Sequence, residues 1–426
     1  MASDSSPLKL GDVVTLQRGT TYKSALLGQP GPVLLGLGSI QRNGGFRDDS
    51  LKTYGGESPA KLTLHPGDIY VSLKDVTQSA DLLGAIARVP PHVPAGRVTQ
   101  DTVKLTFIRK DVPSGYLYWL MRTPVYREYC RAHAIGTTNL SISREDFLAF
   151  PVPQPKAREL TLVETLDALA DKIELNRRMS ATLDAMARAL FQSWFVDFDP
   201  VRAKLDGRPL AALDPAMAAL FPAHVEDSSL GHIPKGWRAG TVVEGFNLTM
   251  GQSPPGDTYN EKGDGLPFYQ GRTDFGFRFP TRRVYCSAPT RYAKPGDTLV
   301  SVRAPVGDIN VANEECCIGR GVAAVRHKSG ATSFTYYSMA SLYPDFARFE
   351  AEGTVFGSIN KNSFEKLRFV IPPPAIVSAY ERQAGPLDDQ IRTLENQSRT
   401  LATLRDSLLP KLLPGAVLLD LISENT

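Results

Sequence analysis

"PGDIYVSLK" occupies residues 66–74 and "PGDTLVSVR" occupies residues 295–303, 229 positions later (295 − 66). In each, a Pro-Gly pair suits a tight turn. An alternating run follows, in which Ile69, Val71 and Leu73 would share one face of a strand. An internal repeat of this kind decides the architecture, because one supersecondary unit is then built twice.

Other pairs extend the repeat. "GTTNLSISREDFLAFPVPQP" (136–155) matches "GTVFGSINKNSFEKLRFVIPPP" (353–374), and "DKI" (171–173) matches "DQI" (389–391). Thr182 and Leu183 pair with Thr400 and Leu401, while "RGTTYKS" (18–24) and "MGQSPPG" (250–256) correspond loosely. A unit of about 220 residues is therefore used twice.

The texture changes once within each unit. The stretches 8–152 and 237–371 hold short β-branched and aromatic runs cut by Gly, Pro and Asn, which predicts mixed, sheet-rich globular structure. A helical element is predicted at 114–134, with a counterpart at 334–352. After Pro155 and Pro374 a long helical period begins. Ile173, Asn176, Ser180, Leu183, Ala187 and Leu190 are spaced by three and four, as are Ile391, Leu394, Ser398, Leu401, Arg405 and Leu408. That is the seam of a coiled coil with some polar members. About 35 residues per helix would span roughly 50 Å. Two matching seams can satisfy each other as an antiparallel pair; the alternative is that each helix packs only on its own globular domain. Residues 193–237 between the units, rich in Pro, Asp and Ala, predict a connection with some short helix.

Charge follows the same division. Lys and Arg exceed Asp and Glu by 17 to 13 in residues 1–155 and again by 17 to 13 in 231–375. Acidic residues lead by 12 to 9 in 156–230 and by 7 to 5 in 376–426. Two equal basic blocks suggest two equivalent electrostatic footprints of the kind that meets nucleic acid.

Catalytic motifs are missing. The sequence has no phosphate-binding loop, no full dinucleotide fingerprint, no H-E-x-x-H and no G-x-S-x-G. The four cysteines (130, 286, 316 and 317) form no C-x-x-C, and the six histidines are scattered singly, so neither a disulfide framework nor a metal site is predicted. "PDFARFEAE" (344–352) reads as a solvated helix face, and the Asn-Pro-Pro-aromatic motif of amino-methylating DNA enzymes is absent. With a polar start and no long apolar run, the chain is expected to be cytoplasmic, without membrane contact.

These features together resemble the specificity subunits of type I restriction-modification systems. The resemblance rests on the whole-chain duplication, the two paired motifs, "IPKGW" (233–237), "LFQSWFVDFDPVRAK" (190–204) and "LRDSLLPKLLPG" (404–415), from about Leu10 to Gly415. It implies an α+β fold with two pseudo-repeated mixed α/β target-recognition domains, separated by two long helices forming an antiparallel coiled coil. The expected division is a first recognition domain at 1–155, a coiled-coil arm at 156–197 and a linker at 198–236. A second recognition domain at 237–373, an arm at 374–415 and a tail at 416–426 complete it.

The resemblance also implies partners: double-stranded DNA, two methyltransferase (modification) subunits and restriction (translocase/nuclease) subunits. S-adenosylmethionine, ATP and Mg would be bound by those partners, and this chain would have no catalysis or metal of its own. A pure protein scaffold and a stand-alone methyltransferase or nuclease are the competing classes.

Candidate DNA-binding residues lie in or beside the repeated motifs. Lys74 and Arg303 end the paired strands, and Thr138, Asn139, Asn360 and Lys361 sit in the polar loops, where they could equally cap the following turn. Gln41, Arg42, Gln270 and Arg272 lie where the copies diverge, and Gln and Arg pair bidentately with purine edges. For the coiled coil and partner docking the candidates are Ile173, Leu183, Leu190, Trp194, Phe195, Ile391, Leu394, Leu401 and Leu408.

Overall fold

The computed structural model describes residues 8–209, 213–351 and 357–413; Gly353 of the second loop motif and the expected tail 416–426 lie outside the described residues. The chain divides into two compact units, 1–174 with 398–426, and 175–397. Each holds one globular repeat and part of both long helices.

The Pro-Gly-Asp motif makes the same turn in both units. The Asp68 N–H donates to the His65 carbonyl at 2.9 Å and the Asp297 N–H to the Lys294 carbonyl at 3.0 Å. Gly67 and Gly296 take φ of 89° and 84°, the left-handed region that the third position of a type II turn requires. The aspartate closes the turn from its side chain, Asp68 Oδ2 accepting from His65 N–H at 2.9 Å and Asp297 Oδ2 from Lys294 N–H at 2.6 Å.

The strand that follows is central. Ile69–Ser72 lies between Thr102–Phe107 and Ile86–Arg88, with Val14–Arg18 beyond; all pairings are antiparallel. Thr298–Ser301 is placed likewise among Val322–His327, Ile309–Val311 and Phe246–Met250. A second sheet in each unit contains a parallel pair, Val33–Leu35 with Gly96–Val98 and Leu266–Tyr269 with Cys316–Ile318. The second unit adds an antiparallel pair, Tyr259–Asn260 with Tyr285–Cys286, that widens its sheet.

The central strand serves two cores. Ile69 and Val71 bury against the helices in a cluster with Trp119, Tyr126, Phe147 and Phe150, and Leu73 packs on its margin. Tyr70 on the other face joins Leu35, Leu62 and Val98 beneath the second sheet. Each such side chain removed from water contributes about 1.5–3 kcal/mol.

Two expectations are corrected. The element at 114–134 is two helices, Ser114–Leu120 and Pro124–Ala132. Pro124 cannot continue a helix from within, but suits a first position, where Thr123 caps by accepting from Tyr126 N–H at 3.4 Å. The counterpart also breaks, into Thr332–Ser341 and Tyr343–Ala351, with Pro344 in the first turn of the latter. The segment 198–236 is more than a connection. Phe198, Val201, Phe221 and Ile233 bury in the core of the second unit, because so many aromatic and aliphatic side chains need apolar cover.

The long helices are Ala157–Phe191 and Pro374–Leu408, 35 residues each. In the second unit Asn176, Ser180 and Ala187 of the first helix are buried, as are Ile391 and Leu394 of the second. Asn176 Nδ2 donates to Gln397 Oε1 at 2.8 Å, and Tyr380 Oη donates to the Ala187 carbonyl at 3.0 Å. As the first helix advances its partner residues fall, so the pair is antiparallel. In the first unit Val163 and Leu166 share a core with Leu412, and Leu408 packs on it. No helix among the described residues is long and apolar enough to cross a membrane.

Candidate nucleic-acid interface

Strand pairing joins two motifs that are far apart in sequence. Lys74–Asp75 pairs antiparallel with Leu140–Ser141, matching Ser141 to Lys74. In the second unit Arg303 bridges Ser358, the Ala304 N–H donates to the Gly357 carbonyl at 2.9 Å, and the Ile359 N–H donates to the Val302 carbonyl at 3.0 Å. Both copies thus bring the cation at the strand end beside the polar loop. Lys74 Nζ lies 3.3 Å from Asp101 Oδ1, whereas Arg303 is exposed and has no ion pair among the described residues.

The loop residues differ in use. Thr138 and Asn139 are exposed at the tip closed by the Ile135–Ser141 bridge. Asn360 is the cap of the helix Lys361–Glu365, its Oδ1 accepting from Ser363 N–H at 2.9 Å, which engages the oxygen a base would need. Ser143 caps the equivalent helix, Arg144–Ala149. Lys361 pairs with Glu365 at 3.5 Å on the helix surface.

Gln270, Arg272 and Arg303 line one concavity, together with Thr273 and Arg320. Gln270 Nε2 and Arg320 Nε donate to Ser253 Oγ, each at 3.4 Å, and the Arg320 N–H does so at 3.3 Å. Arg272 also faces Asp308, 2.6 Å away. In the first unit Gln41 and Arg42 occupy a separate tight turn bridged by Ile40 and Phe46, where Arg42 lies 3.9 Å from Asp81. A second concavity there is lined by Arg18, Lys74, Gln100, Asp101 and Arg144.

Arg18, Arg144, Ser253 and Arg320 were not among the sequence candidates. Arg320 had a signal: it lies two residues before a strand matched in both copies, at a position where the copies differ.

Of the helix candidates, Ile391 and Leu394 are buried, and Ile173, Leu183, Leu190, Leu401 and Leu408 are half-buried. Trp194 and Phe195 are buried within the second unit's own core, Trp194 edge-on to Phe221 at 5.1 Å and Phe195 5.9 Å from Trp237. Their rings are covered by this chain, which removes them from any docking surface.

Neither unit holds an evident reactive centre among the described residues. All four cysteines are free and buried, and burial pushes the Cys130 thiol up to about 11 and the Cys316 thiol up to about 12, so both stay protonated. No group of three or more His, Cys, Asp or Glu could hold a metal among the described residues. The arrangement presents donors on rigid strands and turns, suited to recognition.

Fold and site together define a duplicated α+β scaffold on paired helices. No family model matches the sequence. The putative type I restriction enzyme MjaX specificity subunit of Methanocaldococcus jannaschii is 32% identical over 197 residues, 45% of this chain and 45% of that protein. This chain thus spans less than half the length of that relative. The type I restriction enzyme HindI specificity subunit of Haemophilus influenzae is 23% identical over 322 residues, 63% of this chain and 69% of that protein. Among solved structures, the S subunit of a type I restriction-modification system from M. genitalium shares the fold at 16% identity and TM-score 0.54, over 97% of this chain and 98% of that one. The chain is a homologue of type I restriction enzyme specificity subunits.

Proposed function

We propose that this chain is the sequence-specific DNA-binding subunit of a type I restriction-modification complex and recognises an asymmetric bipartite target. The observation that carries this reading is the frame repeated in both units, in which a strand-end cation lies beside a polar loop while the surrounding residues diverge. The recognition domains are 1–155 and 237–373, with the arms 156–197 and 374–415 between and after them and the segment 198–236 packed into the second unit's core. Phosphate contacts from Lys and Arg position the chain, and contacts to base edges specify. The helices dock two methyltransferase subunits, with restriction subunits completing the complex. S-adenosylmethionine, ATP and Mg belong to those partners, and the assembly works in the cytoplasm.

Binding of the full chain to random duplex over a salt range tests the reading. The association constant should fall steeply with salt. No measurable binding at any salt would leave the chain a protein scaffold, and methyl transfer by the purified chain alone would make it an enzyme.

A further inference from the structure

The turns that lead into the matched strands Thr102–Phe107 and Val322–His327 are superposable by register. Val98 pairs with Leu35 and Ile318 with Tyr269 on the near side, and Thr102 pairs with Ser72 and Val322 with Ser301 on the far side. The same backbone bond closes both, Thr102 N–H to the Thr99 carbonyl at 3.1 Å and Val322 N–H to the Gly319 carbonyl at 3.0 Å. The next contact also repeats, Gly19 N–H donating to the Thr102 carbonyl at 3.1 Å and Gly251 N–H to the Val322 carbonyl at 2.9 Å. Gln100 and Arg320 therefore occupy one equivalent position at the turn tip, and both are exposed.

Their side chains face the concavities that hold the strand-end cations, Gln100 with Lys74 and Arg320 with Arg303. Arg320 is held through Nε on Ser253 Oγ, while its two terminal nitrogens have no ion pair among the described residues. Gln270 is anchored on the same hydroxyl. The two terminal donors of a guanidinium bonded only through Nε among the described residues match the O6 and N7 acceptors of guanine, and a glutamine amide matches N6 and N7 of adenine.

We propose that this turn tip is a specificity-determining position, with Arg320 selecting a guanine in one half of the target and Gln100 an adenine in the other. The inference rests on the DNA-binding reading above and adds which residue reads which base.

The test is selection of the full chain on a duplex pool with randomised blocks, followed by affinity measurement on the enriched sequences. Arg320→Gln should lose the preference for guanine at one position of one half by about tenfold or more, leaving the other half unchanged. Gln100→Arg should alter one position in the other half only. Arg320→Lys retains the charge without the fork, so it should relax the same position while keeping the salt slope. If Arg320→Gln instead weakens all sequences equally and lowers the salt slope by about one, the residue touches only phosphate and the proposal is overturned. A wild-type chain that enriches nothing would sink the DNA-binding reading itself, a result distinct from an unchanged consensus in the variants.

Discussion

Each globular repeat is fastened to a long helix by an arginine, a carboxylate and an aromatic ring, but the two fastenings differ in depth. In the first unit Arg88 Nη2 lies 2.8 Å from Asp167 Oδ1, Trp119 Nε1 donates to the same oxygen at 2.9 Å, and the guanidinium sits over the Tyr118 ring. The arginine and aspartate side chains remain 28% and 31% exposed. In the second unit Arg278 is 2% exposed and bridges both long helices, reaching Asp184 at 2.5 Å and Asp388 at 2.6 Å. Tyr337 Oη bonds within the same knot, and the Tyr336 ring lies 3.9 Å from the guanidinium.

Depth decides what such a group is worth. An ion pair in contact with water gains little, whereas removing one partner from a buried network strands the rest. Burial alone would lower the Arg278 pKa, but the facing Tyr336 and Asp388 raise it, so the arginine stays charged. Asp388 is raised from its ordinary carboxyl value, chiefly by burial, with Arg278 opposing the shift.

The sharpest break in this comparison is Arg278→Leu, which leaves Asp184 and Asp388 facing each other; it should destabilise the second unit by about 3–5 kcal/mol in urea unfolding. A loss near that of an exposed pair would show that the knot is hydrated. Next, Arg303→Ala should lower the salt slope of DNA binding by about one, and Lys74→Ala by less, because Asp101 already partners the lysine. Equal slopes for both variants would remove the difference between the two strand ends. Arg88→Ala should cost no more than about 1 kcal/mol by the same unfolding assay.

The smallest effect is one of pH. His327 lies between Phe246 and Phe334, and burial, opposed by Glu381 and reinforced by Lys328, lowers its pKa. With the folded value below the unfolded one, the unfolded chain takes up the proton first. The contribution is thus present above about 6.5 and lost as pH falls through the histidine range. Melting temperature should fall less between pH 7.5 and 5.5 in His327→Gln, where these pH values are experimental settings spanning roughly the ordinary histidine range. A parallel decline in both proteins would place the titration elsewhere.

Much of the architecture was legible because repetition and period are local properties of a sequence. The Pro-Gly-Asp turns, the strands after them and two helices of matching length all follow from residue type and spacing. Prolines 124 and 344 were equally visible, and weighing them would have split the shorter helices correctly.

What only the tertiary structure decided is where side chains meet. Trp194 and Phe195 look like a docking surface in sequence, yet Phe221 and Trp237 cover them. Asn360 looks like a base reader, yet the helix Lys361–Glu365 that it caps takes its oxygen, through the Ser363 N–H. Nothing in their spacing reveals that Gln270, Arg303 and Arg320 border one concavity, or that Ser253 accepts from two of them, since four separate segments supply these residues. The sequence by itself determined a duplicated frame on two helices, because backbone propensity and hydrophobic period act between neighbours. Burial of Arg278 and the convergence of Gln270, Arg303 and Arg320 were settled by the fold, because desolvation and hydrogen bonding act between residues that only chain folding brings together.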